Sequence, residues 1–546
     1  MKNKLYISLL IPAVFILCAF SSFRDEQGKS HANVVSTVTP VDTTRGGTIW
    51  THAFAVNNGT SCNSIPILTE KAIYIVNSNT LYELSYKDGR ILRQLTLCAK
   101  MNSVCYMLLE DTKLYIPLNG GKIECVDTHS MSSCWQSESF GGQSLSTLFY
   151  YEGYLYAGST TVHSQTTTGT FYCLNATDGS TKWTYIDSEH EGGYYWSGGI
   201  VHNDILYFTG DNGILVSHSL TEDEVYDRYT LTDTAKIRAG ITYNDKTDAL
   251  YTVSNDGILY EIRTTGSTIQ SAVSFPIMKE ARYVNCTSTP TIYNNRIYVG
   301  CMADQYGFVS VLDATTRQPV YHVQGPYMAE IKSSPLVSTR GASSEEVYVY
   351  ISANAKPGGL YYIVDTPSAL SSDWKTLYTP ATDKQYCLAS IVSGTDGTLY
   401  YSNDSGTLFA VREVARSSDL PKLTAQKNEG IQKSESKTAL TPASTKTPIK
   451  KRTVRAKKPS KPFAIKIKKE KKKVIVRWKI KTKGCQTLVF YRYGSGKWKK
   501  KIVKNQTTVS IKRKRRKTLH IRLRSQKKDK NSYAYSNYTK TFHFKR

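Results

Sequence analysis

The last quarter of this chain has almost no acidic residues. Residues 414–546 contain 43 Lys and Arg but only 5 Asp and Glu, whereas the residues before them contain 28 basic and 39 acidic ones. So few carboxylates exclude a surface that is neutralised by its own ion pairs. The net charge of +27 for the whole chain therefore conceals two parts of opposite sign. Such asymmetry favours a basic module that binds a polyanion.

Long apolar runs are also scarce. The only one extends from Leu5 to Phe20, after Lys2 and Lys4 and before two serines. It is short for a membrane span, which needs about 20 apolar residues. The pattern predicts a secretory signal peptide over residues 1–22, with an uncleaved anchor as the alternative. We therefore expect a secreted, extracellular protein that associates with the cell surface.

Common catalytic motifs are absent. The sequence has no Gly-x-Ser-x-Gly, no His-Glu-x-x-His, no Gly-x-x-x-x-Gly-Lys and no Cys-x-x-Cys-His. These patterns would indicate a serine hydrolase, a zinc protease, a phosphate-binding loop and a haem attachment site, respectively. We expect a protein that is not an enzyme and that has no catalytic residues, cofactor or metal.

What the chain does have is a repeat. Eight seven-residue segments follow the pattern Gly-x-apolar-apolar-x-apolar-polar, and only the first lacks the glycine. They begin 42 to 52 residues apart, at Asn79, Gly121, Gly169, Gly213, Gly257, Gly307, Gly359 and Gly406. A period in the forties with β-type composition is typical of a β-propeller.

Each repeat contains signals for four short strands. An aliphatic-Tyr pair precedes every segment, and an aromatic residue follows several of them, as Trp135 and Trp183 do. Asn, Asp and Gly in the intervening turns favour hairpins. The aliphatic-Tyr pairs end at Tyr74, Tyr115, Tyr156, Tyr207, Tyr251, Tyr298, Tyr348 and Tyr400. Four antiparallel strands make one propeller blade.

The ends of the repeat region complement each other. The last repeat ends near Val414 without a fourth strand, and the segment 47–54 resembles a fourth strand without a repeat. We predict that the N-terminal strand completes the last blade and so removes an exposed edge. The result is an all-β fold whose eight-bladed propeller covers residues 45–414. Seven blades plus an irregular segment are the alternative.

The third repeat, from Gly169 to Trp183, resembles the PQQ-type repeat of quinoproteins, with its Thr-Asp-Gly-x-x-x-Trp tail. The resemblance implies a propeller of the quinoprotein alcohol dehydrogenase type. It also implies that an active member would hold Ca²⁺ with acidic and amide side chains, beside a pair of adjacent cysteines. This chain has no Cys-Cys dipeptide and no ligand set at matching positions. A PQQ-dependent dehydrogenase is kept as an alternative.

Three aromatic residues stand together at the start of the fourth repeat. Tyr194, Tyr195 and Trp196 follow Gly192-Gly193. Aromatic rings near a propeller axis suit stacking on a sugar or another planar ligand, so these residues form a candidate ligand face. Packing between blades is the alternative.

Cysteine spacing suggests two cross-strand disulfides. Cys286 and Cys301 flank the Asn294-Asn295 turn almost symmetrically, and Cys125 and Cys134 fall on adjacent strands of the second blade. A secreted chain permits such bonds. Buried thiols are the alternative.

The C-terminal quarter divides into a linker and a small domain. Residues 415–461 are rich in Lys, Ser, Thr and Pro and predict a disordered basic linker. Residues 462–546 show short alternating strands and predict a small β-sandwich. This segment resembles a basic fibronectin type III domain of bacterial surface proteins. Trp478 corresponds to the core tryptophan, and Leu519-His-Ile-Arg-Leu-Arg-Ser525 resembles the Tyr-x-Val-Arg-Val-Arg-Ala strand of that family.

This basic region suits a polyanion. Its candidate binding residues are Lys512, Arg513, Lys514, Arg515, Arg516, Lys517, Arg522 and Arg524. Because clustered cations release counterions on binding, an anionic cell-wall polymer is the expected partner, and anionic lipid, host glycan or extracellular DNA are polyanion alternatives. We expect a monomeric surface protein whose propeller is a platform for an unknown protein or glycan and whose tail is an electrostatic tether. An envelope protein-assembly scaffold is the alternative.

Overall fold

A computed structural model describes the chain in two groups of residues. The first group is 34–35, 46–54, 63–102, 104–163, 166–339 and 345–413. The second is 462–470, 473–480, 484–493, 499–504, 506–513, 518–529, 532–535 and 542–544. The predicted signal peptide and the predicted linker lie outside the described residues. Two compact units, Met1–Asp419 and Leu420–Arg546, divide the chain.

The described residues form 44 strands and no helix, which confirms the all-β prediction. Accordingly, no helix in these ranges has the length and apolarity that a membrane span requires. The first two strands are β1 (Val34–Val35) and β2 (Gly46–Ala53). The following strands of the first unit form eight sheets in chain order, numbered sheet 1 to sheet 8 here.

Each of the first four sheets has four antiparallel strands, and a separate two-stranded hairpin lies in the connection between the second and third strands of sheet 3. Sheet 1 contains β3 (Ile67–Leu68), β4 (Ile73–Asn77), β5 (Thr80–Leu84) and β6 (Ile91–Thr96). Sheet 2 contains β7 (Leu108–Glu110), β8 (Lys113–Leu118), β9 (Lys122–Asp127) and β10 (Ser132–Gln136). Sheet 3 contains β11 (Phe149–Tyr151), β12 (Tyr154–Gly158), β15 (Phe171–Asn175) and β16 (Thr181–Tyr185), and the hairpin of β13 (Thr161–Val162) and β14 (Thr167–Thr168) is separate from it. Sheet 4 contains β17 (Gly199–His202), β18 (Ile205–Thr209), β19 (Ile214–His218) and β20 (Val225–Thr230).

The last four sheets follow the same plan, except that sheet 6 has a fifth strand and that β1 pairs parallel with the first strand of sheet 7. Sheet 5 contains β21 (Thr242–Asn244), β22 (Ala249–Val253), β23 (Ile258–Thr265) and β24 (Thr268–Pro276). Sheet 6 contains β25 (Val284–Asn285), β26 (Thr291–Tyr293), β27 (Arg296–Ala303), β28 (Tyr306–Asp313) and β29 (Gln318–Tyr327). Sheet 7 contains β30 (Leu336–Ser338), β31 (Val347–Ser352), β32 (Leu360–Asp365) and β33 (Lys375–Tyr378). Sheet 8 contains β34 (Val392–Ser393), β35 (Leu399–Ser402) and β36 (Thr407–Glu413).

Strand β2 supplies the fourth strand of sheet 8. It pairs antiparallel with β36, from Gly46 opposite Glu413 to Ala53 opposite Thr407. The N-terminal strand therefore completes the last sheet, as the sequence predicts. This pairing covers the edge of β36, which would otherwise be open to another chain.

Eight buried apolar clusters separate the eight sheets. Each cluster contains residues from two consecutive sheets, and the last combines Phe54, Ile73 and Leu408, which belong to sheets 8 and 1. The interfaces therefore form a closed ring. The strand that begins each sheet lies nearest the axis, as parallel bridges between Ile65 and Tyr106 and between Thr147 and Gly198 indicate.

Polar contacts also join neighbouring sheets. In sheets 1 to 4 the tyrosine of the aliphatic-Tyr pair donates its hydroxyl to a carbonyl of the following sheet, as Tyr156 does to Leu220 (3.0 Å) and Tyr207 does to Gly266 (2.9 Å). Indole N–H groups do the same. Trp183 donates to Leu220 (3.2 Å), and Trp50 of β2 donates to Tyr86 of sheet 1 (2.8 Å). The closing strand thus makes the same contact as its counterpart in sheet 3.

The C-terminal unit is a pair of facing sheets. One has the order β37 (Phe463–Lys469), β38 (Lys473–Lys479), β41 (Thr508–Lys512). The other has β40 (Lys499–Val503), β39 (Gln486–Tyr493), β42 (Leu519–Asp529), β43 (Ser532–Tyr535), and β44 (Phe542–Phe544) also pairs with β42. Val476, Val489 and Ile521 share one buried cluster, so the core lies between the sheets. Trp478 adds a hydrogen bond from its indole to Thr487 across this core (2.8 Å).

Candidate functional site

The first predicted site residue, Tyr194, is a core residue. Its side chain is buried between sheets 3 and 4, with its ring 5.2 Å from that of Phe171 and 5.9 Å from that of Phe208. Gly158 leaves it room, because a Cβ there would lie 2.4 Å from the Tyr194 Cβ. For Tyr194 the packing alternative is therefore correct.

The next two aromatic residues differ from it. Tyr195 and Trp196 are half-buried, and their rings meet edge to face at 4.8 Å. Trp196 has a φ of +59°, in the left-handed region. A bulky residue rarely adopts this conformation, which costs of order 1–3 kcal/mol and is found mainly where function requires it. Val104, before the first strand of sheet 2, adopts the same conformation with a φ of +51°.

A cation from sheet 5 covers the ring of Tyr195. The Arg238 guanidinium lies 4.4 Å from the ring centroid and donates to both carboxylate oxygens of Asp211, at 2.9 and 2.8 Å. Asp211 is buried and also accepts from the Thr167 hydroxyl (2.9 Å). Burial raises the pKa of Tyr195, which keeps the phenol neutral beside this ion pair. The bidentate contact fixes the plane of Arg238 over the ring.

A second cation, from sheet 7, lies over Trp196. The Lys332 ammonium is 5.5 Å from the indole ring and 2.8 Å from a carboxylate oxygen of Glu330. The other oxygen of Glu330 accepts from Asn285 of sheet 6 (2.9 Å). Sheets 4 and 7 are not neighbours in the ring. Trp196 therefore reaches across the axis, at the end of the ring where the first strands begin.

We refer to Tyr195, Trp196, Arg238, Asp211, Lys332 and Glu330 as the axial cluster. Two half-buried rings, two cations and two buried carboxylates meet there, and loops before the first strands of sheets 4, 5 and 7 supply most of them. Sequence reasoning found only the aromatic pair. The charged members lie 15 to 136 residues from Trp196 with no local motif around them, so only the ring brings them together.

The predicted polyanion-binding residues divide between the two sheets of the C-terminal unit. Lys512 is exposed at the end of β41, and Arg513 after it donates to the Glu470 carbonyl (3.3 Å). Arg522 and Arg524 lie on β42, in the other sheet. Lys514, Arg515, Arg516 and Lys517 lie outside the described residues. The predicted set is therefore not one continuous site among the residues described.

Cross-strand register places further cations opposite one another, which the sequence analysis did not identify individually. On the outer face of the three-stranded sheet, Lys466 pairs with Arg477 and Lys473 pairs with Lys512. All four side chains are exposed. Among the described residues of this unit the only acids are Glu470 and Asp529. Glu470 has long ion pairs to Lys468 (3.6 Å) and Lys473 (3.7 Å).

On the second sheet, arginine, aromatic and lysine side chains form a row. Phe490 of β39 stands between Lys500 of β40 and Arg522 of β42. The Arg524 guanidinium lies 5.7 Å from the Phe490 ring. Stacking on an aromatic face holds a guanidinium in place.

The four cysteines of the predicted disulfides are free thiols in this structure. Cys286 and Cys301 are both buried, and the Cys286 thiol donates to the Gly300 carbonyl (3.2 Å). Burial raises the pKa of Cys301 to about 12. Cys125 is buried whereas Cys134 is exposed beside the register shift of β10. Neither disulfide is formed, and whether oxidation forms them stays a prediction.

Metal ligands are not gathered in the described ranges, where no group of three or more His, Cys, Asp or Glu could hold an ion.

Comparison with known proteins supports the fold. The chain is similar to a quinohemoprotein alcohol dehydrogenase of Pseudomonas putida HK5 (TM-score 0.51, 11% identity, 70% of this chain and 79% of that one). It is also similar to quinohemoprotein alcohol dehydrogenase from Comamonas testosteroni (0.52, 9%, 69% and 78%). BamB from Moraxella catarrhalis aligns with a TM-score of 0.48, at 12% identity over 67% of this chain and 99% of that one.

At such low identity these similarities show a propeller fold of the quinoprotein type and nothing about chemistry. No protein-family model matches the sequence, and no curated protein matches it.

Proposed function

We propose that the C-terminal unit tethers this protein to a phosphate-bearing polymer of the cell envelope, and that the propeller presents a binding platform. The observation that carries the proposal is the pairing of cations across strands. Lys466 faces Arg477, and Lys473 faces Lys512, on one exposed sheet face.

Like charges directly opposite one another destabilise an antiparallel sheet, by roughly 0.2–1 kcal/mol a pair. A polyanion that lies along this face would relieve the repulsion and release its own counterions at the same time. The face therefore gains stability from the ligand that the composition predicts. Glu470 alone would not neutralise it, since its ion pairs to Lys468 and Lys473 are long and exposed.

The strand orders support a fibronectin type III-like sandwich. One sheet is formed by the first, second and fifth strands of the unit, and the other by the fourth, third, sixth and seventh. Two antiparallel sheets with such crossovers and one buried core tryptophan, Trp478, match that architecture. A rigid module of this kind holds its cations at regular strand spacings, which suits a repeating polymer.

A secreted location and a signal peptide complete the proposal, since wall polymers with phosphate backbones lie outside the cell. The proposal also includes a non-catalytic propeller. The axial cluster offers rings and ion pairs, which suit binding.

The test is co-sedimentation of the full-length protein with Gram-positive cell walls over rising salt. We compare the wild type with Lys466→Glu/Arg477→Glu, which reverses one cross-strand pair. The matched control, Lys71→Glu/Lys87→Glu, makes the same charge change at exposed propeller positions. Walls stripped of phosphodiester polymer by hydrofluoric acid provide the ligand control.

We expect salt to release the wild type and the first double variant to lose binding at lower salt than the control. If both cations contact polymer phosphates, the plot of log affinity against log salt should be less steep for the first double variant than for the wild type, by about 1.5 in slope. Equal binding of both variants, or undiminished binding to stripped walls, would overturn the tether.

A further inference from the structure

We propose that the axial cluster binds a sugar that carries a single carboxylate, with its ring stacked on Trp196 or Tyr195 and its carboxylate on Arg238 or Lys332. The inference deepens the proposed platform role of the propeller, on which it rests. It concerns a different part of the chain from the tether.

The cluster keeps hydrogen-bonding groups that the protein does not use. Among the described residues, the Arg238 Nη1 group, the Trp196 indole N–H and the Tyr195 hydroxyl have no hydrogen-bond partner, and Lys332 has Glu330 alone. The Ser197 hydroxyl next to Trp196 is fully buried and unpartnered in the same ranges. The indole, phenol, guanidinium and ammonium groups are therefore available to hydrogen-bond a ligand.

The charges define the class of ligand. Arg238 is paired with Asp211 and Lys332 with Glu330, at 2.8 Å each, so the cluster is close to neutral. A neutral cluster with spare N–H donors favours one carboxylate and disfavours a polyanion, whose extra charges would face the two buried carboxylates. In the C-terminal unit, in contrast, Glu470 and Asp529 are the only acids among the described residues, so most of its cations are not neutralised.

The shapes favour a sugar. A half-buried indole and a half-buried phenol, edge to face at 4.8 Å, present flat apolar surfaces on which the C–H face of a pyranose packs. The two cations can donate to sugar hydroxyl oxygens, whereas the Asp211 carboxylate is only 1% exposed and holds Arg238 in place. A small number of converging polar groups, set among aromatic side chains, is typical of small-ligand sites.

The experiment is calorimetric titration of the full-length protein at about 0.15 M salt with galacturonic acid, neutral galactose and acetate. The variants are Trp196→Ala and Arg238→Lys. Trp374→Ala is the matched control, because Trp374 is also half-buried but packs on Gly325 and Tyr361 between sheets 6 and 7. Thermal unfolding confirms that each variant is folded.

We expect galacturonic acid to bind more tightly than galactose, and acetate to show no saturable binding. Trp196→Ala should weaken galacturonic acid about tenfold, and Trp374→Ala should not. Arg238→Lys, which keeps the charge but loses the planar fork, should reduce the preference for the acid over galactose.

No saturable binding of either sugar, or equal loss in both tryptophan variants, would overturn the site. Equal affinity for galactose and galacturonic acid would overturn the carboxylate assignment. Co-sedimentation of Trp196→Ala with cell walls separates the two proposals. It should remain unchanged, so a failure here leaves the tether intact and a failure of the tether leaves this site intact.

Discussion

Ring closure through Trp50 makes the sharpest prediction about stability. The indole donates to the Tyr86 carbonyl of sheet 1 at 2.8 Å, and its ring lies on Gly89, where an added Cβ would be 2.4 Å away. Tyr400 of sheet 8 lies 6.0 Å from it. Trp50 thus holds β2 to both the last sheet and the first.

Replacing a buried tryptophan by alanine costs about 3–5 kcal/mol, and Trp50 is only partly buried. We therefore expect Trp50→Ala to lower the free energy of unfolding by about 2–3 kcal/mol. Trp50→Phe keeps an aromatic ring but loses the N–H, and should cost about 1 kcal/mol. Gly89→Ala should also destabilise, because its φ of +69° and the indole above both oppose a side chain.

Urea unfolding of the full chain gives these values, and limited proteolysis reports the strand itself. Trp135→Ala is the matched control, since Trp135 makes the same kind of contact to Ala176 (3.3 Å) away from the closure. Both variants should lose similar stability, but only Trp50→Ala should expose residues 46–54 to early cleavage. Leu370→Ala, at a side chain that is 78% exposed, should have no effect. If Trp50→Ala resembles Leu370→Ala in both assays, β2 does not close the ring.

Three further predictions concern titratable groups. Burial lowers the pKa of His218 below 6.5, so the unfolded chain takes up the proton first as pH falls. The contribution of His218 to stability should be complete above about pH 6.5 and decline below it. His218→Gln should therefore make the urea midpoint depend less on pH between about pH 7.5 and 5. An unchanged dependence of the midpoint on pH contradicts this. Glu261→Gln weakens the pairing of a buried carboxylate with Arg317 of the next sheet (2.7 Å). Since that arginine is partly exposed, the free energy of unfolding in urea should fall by about 2 kcal/mol. A decrease of less than about 0.5 kcal/mol refutes the prediction. In native alkylation the exposed Cys134 should react before Cys105, whose pKa burial raises to about 12, and mass spectrometry that finds the reverse order contradicts the burial.

The architecture could be predicted from the sequence because the repeat is local. A glycine recurs in seven of the eight periods, an aliphatic-Tyr pair in all of them and a trailing aromatic residue in several. The Tyr156 and Trp183 donors, for example, meet at one carbonyl of the next sheet. The missing fourth strand after Val414 and the spare strand at Trp50 were visible as a mismatch between the two ends.

The charged part of the axial cluster could not be predicted in this way. Arg238 and Lys332 stand in separate repeats, without a motif, and become neighbours of Tyr195 and Trp196 only through the curvature of the ring. The sequence also did not distinguish Tyr194 from its two neighbours, because burial depends on Phe171 and Phe208 of other strands. In the C-terminal unit the cation count was evident, but the facing of Lys466 and Arg477 depends on strand register.

The closing strand has a consequence for the order of events during synthesis. Ala53 must wait for Thr407, about 350 residues later, before β2 finds its partner. At roughly 5–20 residues per second this interval lasts on the order of 20–70 s. Until then sheet 1 has no sheet 8 to pack against, so the ring cannot close. A chain that crosses a membrane unfolded would therefore complete its propeller only after nearly the whole repeat region has emerged, with the basic unit following last.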